Sequence, residues 1–199
     1  MSEKNIVWQQ STINRNDRER LNGHRAAVIW FTGLSGAGKS TLAHALEAAL
    51  HRQGHRTLVL DGDNVRHGLC SDLGFSPADR HENLRRIAEV AKITHDAGII
   101  TLAAFISPMR ADRAMIKRII GPEHFIEIHV KCPVNICENR DVKGMYKKAR
   151  SGEIKEFTGV SAPYEVPEAA DLALDTDATS IDDCVYSILQ RLQSTVNLK

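Results

Sequence analysis

The stretch Ala26-Ala27-Val28-Ile29-Trp30-Phe31-Thr32-Gly33-Leu34-Ser35-Gly36-Ala37-Gly38-Lys39-Ser40-Thr41 decides the fold. Its first seven residues form a short apolar run, which reads as a buried strand. Gly33 to Ser40 matches the pattern G-x-x-x-x-G-K-[ST]. From Lys39 to Gln53, Leu42, Ala45, Leu46, Ala49 and Leu50 fall on one face of a helix that Gly54 ends. Glycines let backbone N–H groups turn inward around an anion, and the helix adds its N-terminal dipole. Gly33, Leu34, Ser35, Gly36, Ala37, Gly38, Lys39, Ser40 and Thr41 are therefore expected around the phosphates of ATP. Lys39 reaches the β- and γ-phosphates, and the Ser40 hydroxyl is a Mg²⁺ ligand. A chance match in a Gly-rich turn is the competing reading, and the flanking strand and helix argue against it.

Outward from this loop the pattern alternates. Strands are expected at Thr57–Leu60, Ile99–Ile106, Phe125–Val130 and Leu172–Leu174. Helices are expected at Arg80–Ala97, Pro108–Ile120, after Pro133 and at Ile181–Leu192. Alternation of this kind implies an α/β fold: a three-layer P-loop NTPase-type domain with a mainly parallel sheet of about five strands. Residues 1–24 read as an N-terminal arm with room for a short helix. Residues 25–199 read as the kinase domain. The stretch from about 140 to 168 is rich in Lys, Gly and Pro and reads as a loop-dominated, mobile lid.

The 199 residues suit one domain. With 26 basic against 25 acidic residues, the net charge of +1 gives no bulk electrostatic case for nucleic acid or an anionic membrane. Cys70, Cys132, Cys137 and Cys184 form no C-x-x-C pair and no zinc spacing, as for reduced thiols. MSEKNIVWQQ lacks a signal-peptide core, and no apolar run approaches the roughly 20 residues that span a bilayer. A cytoplasmic protein is the expectation.

Asp61 and Asp63 follow the second strand, where ligands of an open α/β sheet bind. Beside a phosphate-binding loop, one carboxylate can orient Mg²⁺ and one can accept a proton from an attacking hydroxyl. Asp61 is the first choice for the base and, with Ser40, for the metal. A solvated Asp-Gly turn is the alternative. The guanine-reading N-K-x-D segment of GTPases is missing. Arg140, Lys143, Lys147, Lys148, Arg150 and Lys155 instead suit a basic lid that excludes water from a phosphoryl transfer.

Five segments together resemble the adenylylsulfate kinase (APS kinase) family over nearly the whole chain, from about Asn5 to about Leu192. They are FTGLSGAGKST at 31–41, LDGDNVRHGLCSDLGFS at 60–76, DRHENLRRIAEVA at 79–91, FISPMRADR at 105–113 and KGMYKKARSGEIKEFTGVSAPYEVP at 143–167. The first is common to many P-loop proteins; the others, in this order, are specific to the family. One departure is Ser161, where many members carry Asp. The resemblance implies transfer of the γ-phosphate of Mg-ATP to the 3′-hydroxyl of adenosine 5′-phosphosulfate, in sulfate assimilation.

The resemblance also assigns residues. Arg66, Arg80 and Asn83 are implied as ligands of the phosphosulfate end, a use that suits guanidinium forks. Phe75 and Phe157 are implied as the aromatic pair on the substrate adenine. Ser107 aligns with a serine recorded as a phosphoserine intermediate and is carried as a catalytic candidate alongside Lys39 and Asp61. Direct in-line transfer needs no such intermediate, so a binding role for Ser107 ranks above the covalent one. Ile106, Asp63 and Lys155 are implied at the acceptor site, and Arg140 at the ATP side. A homodimer is implied as well. The alternatives are another P-loop metabolite kinase, a polynucleotide 5′-hydroxyl kinase, or a module that binds ATP without turnover.

Overall fold

The computed structural model describes residues 6–141 and 143–196. Among them lies one wholly parallel sheet of five strands. These are β1 (Val28–Thr32), β2 (Thr57–Asp61), β3 (Ile100–Ala104), β4 (Phe125–Lys131) and β5 (Leu172–Asp175), ordered β2-β3-β1-β4-β5. Parallel neighbours need crossover connections, and helices supply them. These are α2 (Lys39–Arg52), α3 (Pro77–Asp96), α4 (Arg110–Ile120), α5 (Val134–Arg140) and α6 (Met145–Arg150), with α1 (Arg15–Asn22) before them and α7 (Ile181–Val196) after.

β1 is central, and all five of its residues are buried. Its side chains alternate between two cores. Ile29 and Phe31 pack with Leu42, Leu46 and Leu50 of α2 and with Ile188 and Leu192 of α7. Val28 and Trp30 pack with Leu84 and Ile87 of α3 and Ile116 of α4. A strand covered on both faces reads as a continuous apolar run, which is why no alternation is visible in its sequence.

The chain leaves β1 for β2 and β3 on one side, then crosses to β4 and β5 on the other. The crevice of such a sheet opens at this change of direction, beyond the carboxyl end of β1. Gly33 makes the turn there with φ 153°, and a Cβ at this position would lie 2.4 Å from the Val130 carbonyl oxygen of β4.

Several boundaries differ from the sequence expectations. α3 starts at Pro77 rather than Arg80, because the Ser76 Oγ accepts the Asp79 N–H at 3.1 Å and proline occupies the first turn. Asn64–His67 forms a 3₁₀ turn inside a stretch expected to be irregular. β3 ends at Ala104, two residues short of Ile106. The 140–168 stretch is not loop throughout. α6 lies in it with Tyr146 and Ala149 buried, and its six residues, set between the left-handed Gly144 and Gly152, are too few to show a periodic stripe. In the N-terminal arm, an Asn14/Asp17 capping box starts α1. This helix is fastened to the end of α3 by Arg18 to the Asp96 carbonyl (3.1 Å) and Asn22 to the Gly98 carbonyl (2.8 Å). Residues 1–5 lie outside the described residues.

Replacing Gly33 by alanine forces the β1–β4 backbones apart at the mouth of the crevice. Gly33→Ala is expected to cost about 1–3 kcal/mol in denaturant unfolding. An unchanged midpoint would show that the turn relaxes freely.

Candidate active site

The loop after β1 curls over the start of α2. No side chain among the described residues caps α2, whose N-cap is Gly38 at φ 96°. Gly36, at φ 75°, sits where a Cβ would meet the Cys137 carbonyl oxygen at 2.8 Å. The loop is therefore wedged between β4 and α5 with its N-terminal amides available to an anion.

Lys39 is buried, and its Nζ donates to the Leu34 carbonyl at 2.7 Å. Burial pushes its amine down to about 8, against smaller opposing effects of Cys137, Asp61 and Asp63. The Ser40 hydroxyl donates to Asp61 Oδ2 at 2.6 Å, and the Asp63 N–H donates to Asp61 Oδ1 at 3.0 Å. Burial raises the Asp61 carboxyl, but Ser40, the Asp63 and Asn64 N–H groups and Lys143 outweigh it and hold it below the usual range. Asp61 is thus ionised at neutral pH. Asp63 is exposed and paired with Lys143, eighty positions along the chain.

Ser40 and Asp61 present hard oxygen donors beside the loop, which fits Mg²⁺. No cluster of three or more His, Cys, Asp or Glu suited to a metal exists among the described residues.

Two ties hold the loop from outside, and a third braces one of them. The Tyr146 hydroxyl donates to the Ser35 carbonyl at 2.9 Å, and the Thr176 hydroxyl donates to the Ala37 carbonyl at 2.8 Å. Arg140 in turn donates to the Thr176 carbonyl at 2.7 Å. Arg140 therefore reaches the nucleotide loop through Thr176. Sequence reasoning missed both Thr176 and Tyr146. Tyr146 lay inside a quoted segment without a motif of its own, and Thr176 follows a short edge strand. Thr41, one residue past Ser40, is exposed as Ser40 is.

On the other side of the crevice Arg80 gathers the expected acceptor residues. Its Nε donates to the Phe75 carbonyl at 2.8 Å, Nη2 to the Glu156 carbonyl at 2.7 Å and Nη1 to Thr158 Oγ1 at 3.1 Å. One guanidinium thus joins the loop bearing Phe75 to the turn bearing Phe157. Phe75 is exposed, with the Arg66 guanidinium 4.4 Å from its ring. Phe157 is buried against the edge of Tyr146, ring centroids 5.0 Å apart. The Ser161 Oγ accepts the Phe157 N–H at 3.0 Å, so a hydroxyl closes this turn where the family pattern has a carboxylate. Asn83 is buried, and its Oδ1 has no hydrogen-bond partner among the described residues. Lys155 is exposed beside the left-handed Glu156.

Ile106 is half-buried and Ser107 is buried at φ 38°. The Ser107 hydroxyl accepts the Trp30 indole N–H at 3.1 Å. A cleft of about 480 Å³, lined by Leu34, Val134, Val160, Pro163 and Tyr164 among others, adjoins the loop but includes none of Lys39, Ser40 and Asp61.

A buried lysine, a serine–aspartate pair and uncapped helix amides beyond the central strand of a parallel sheet define a P-loop nucleotide-binding protein. Comparison with known proteins carries this further. The family model described as adenylylsulphate kinase matches residues 25–175. An adenylyl-sulfate kinase of Shewanella amazonensis is 56% identical over 189 residues, 95% of this chain and 96% of that protein. The APS kinase of Mycobacterium tuberculosis, solved in complex with AMPPNP and APS, superposes with a TM-score of 0.82 at 46% identity. That match covers 85% of this chain and 98% of that one. A hexameric APS kinase from Thiobacillus denitrificans matches with a TM-score of 0.64 at 39% identity, covering 89% of this chain and 30% of that one. The chain belongs to the adenylylsulphate kinase family.

Lys39 makes ATP binding pH-dependent. The free amine loses its proton above about pH 8, whereas bound phosphates favour the ammonium form. Binding is therefore expected to take up close to one proton at about pH 9.5 and almost none at about pH 7. Affinity falls as pH rises through 8. Calorimetric titration in two buffers of different ionisation enthalpy measures this, and equal proton uptake at both pH values would refute it.

Proposed function

We propose that this protein transfers the γ-phosphate of Mg-ATP to the 3′-hydroxyl of adenosine 5′-phosphosulfate, giving ADP and 3′-phosphoadenylyl sulfate. The observation that carries the reading is the Lys39–Ser40–Asp61 constellation in a chain more than half identical, nearly end to end, to an adenylyl-sulfate kinase. The activity places it in sulfate assimilation.

Lys39 and the α2 amides hold the nucleotide phosphates. Ser40 and Asp61 would hold the metal, which would supply neutralising charge to the nucleotide phosphates. Both Asp61 oxygens are engaged, by Ser40 and by the Asp63 N–H, so the carboxylate is fixed in orientation. It is also ionised at neutral pH and lies at the carboxyl end of β2, where ligands of an open parallel sheet bind, which supports it as the group that assists deprotonation. Asp63 answers to the lid through Lys143. Arg66, Arg80 and Asn83 take the phosphosulfate end, and the unpartnered Asn83 oxygen is a polar group awaiting a ligand. Phe75 and Phe157 take the adenine, with Ile106 and Lys155 beside them. Ser107 serves through binding rather than as a covalent nucleophile, a reading its enclosure by Trp30 supports.

The segment 140–168 closes over the transfer as a lid, with Lys143, Lys147, Lys148 and Arg150 adding positive charge and excluding water. The protein acts in the cytoplasm as a homodimer, with the N-terminal arm available to the contact. None of the described helices is long and apolar enough to cross a membrane.

A coupled assay for ADP tests the acceptor. ADP formation from Mg-ATP is expected only when adenosine 5′-phosphosulfate is present; equal ADP without it would overturn the assignment. Asp61→Asn is expected to lower kcat by about two to four orders of magnitude, the usual span of acid–base catalysis, and more than Asp63→Asn does. Phe157→Ala is expected to raise KM for the acceptor more than for ATP; equal shifts would count against the stacking role.

A further inference from the structure

Arg113 of α4 belongs to none of the groups described above, yet it is 4% exposed. A guanidinium is seldom buried unless several partners hold it. Its Nη1 donates to the Ser107 carbonyl at 2.6 Å and its Nη2 to the Glu165 carbonyl at 2.6 Å. Its Nε lies 2.9 Å from Glu127 Oε1 of β4. This is an ion pair rather than an aligned hydrogen bond, since that oxygen has no hydrogen-bond donor among the described residues. The Tyr164 ring stands 5.8 Å from the guanidinium carbon.

The place where these bonds end is unusual. Ser107 is one of two non-glycine residues with positive φ among the described residues. A left-handed serine is strained and persists only where its surroundings fix it. Three side chains do so. Trp30 holds its hydroxyl, Arg113 its carbonyl, and Thr32 donates to the preceding Ile106 carbonyl at 2.8 Å. Trp30 and Thr32 lie on β1, which carries the nucleotide loop. Two of the three also reach the 164–165 segment: the Thr32 hydroxyl lies 3.0 Å from the Tyr164 hydroxyl, and Arg113 alone binds the backbone there, at the Glu165 carbonyl. There the Glu165 N–H donates to the Pro108 carbonyl (2.9 Å) and Glu165 Oε2 accepts the Arg110 N–H (2.6 Å).

We infer that Arg113 is a positioning residue for the acceptor side of the reaction: its buried fork locks the left-handed Ile106–Ser107 turn and the 164–165 anchor of the lid into one rigid piece. It touches neither substrate. The inference rests on the proposed reading of Ile106 and Ser107 as acceptor-binding. A lysine cannot replace it, because one ammonium on a flexible stem cannot bind two carbonyls and a carboxylate in a fixed plane.

The test uses the full chain with R113M/E127Q and R113K. Pairing R113M with E127Q avoids an uncompensated buried carboxylate. R113K keeps that charge paired if the double variant does not fold. In the folded variants KM for adenosine 5′-phosphosulfate is expected to rise roughly tenfold or more, with KM for ATP within about twofold. A second readout needs no substrate. In a W8F background Trp30 is the sole tryptophan, and its emission and near-UV signal are expected to shift as the Ser107 hydroxyl moves. Equal rises in both KM values, or an unshifted Trp30 signal, would overturn the inference. If the unsubstituted protein does not phosphorylate adenosine 5′-phosphosulfate, the functional reading fails, and the Trp30 signal still decides whether Arg113 holds the turn.

Discussion

Everything in this structure depends on the contact between Gly33 and the backbone of β4. β1 is buried on both faces, so the chain cannot drift sideways on leaving it, and the Val130 carbonyl leaves no room for a Cβ. The loop must therefore turn at that point, and the turn delivers Lys39 and the α2 amides to one spot. The burial that lowers the Lys39 amine follows from the same packing. A lysine that holds its proton loosely when alone and firmly against phosphate is well suited to a site that must release its nucleotide.

Around this fixed loop the site is assembled from distant segments by a few polar ties. Ser40 meets Asp61 across α2 and β2, and Tyr146 and Thr176 fasten the loop from the two later segments. Arg80 and Arg113 do the same for the opposite wall. Tyr146 to Ser35, Thr176 to Ala37, Arg80 to Glu156 and Arg113 to Glu165 each span more than fifty positions, and each ends on a backbone carbonyl. The sheet provides position, and the arginines convert it into a cleft with defined walls.

The fold was largely legible in the sequence because its signals are local: apolar runs, the glycine pattern and helix-ending glycines. Where the reading missed, the cause was also local. The Ser76–Pro77 start of α3 sat inside a stretch that looked irregular, and α6 is too short to show a period. The nucleotide loop and Asp61 were legible because one motif and one strand end carry them. Thr176, Tyr146, Trp30 and Arg113 were not. Nothing in the sequence around Arg113 distinguishes a buried fork from the neighbouring Arg110, whose charge reaches Glu168 at the exposed surface. Only tertiary contact separates them.

The three bonds of Arg80 have a mechanical consequence. Phe75 and Phe157 stand on segments with no common secondary structure, yet a single guanidinium grips the backbone beside each. The two jaws therefore share one hinge pin, and the gap between them is set by the span of one side chain. A shift of either segment is passed to the other, so the spacing of the two rings cannot change without re-seating this arginine.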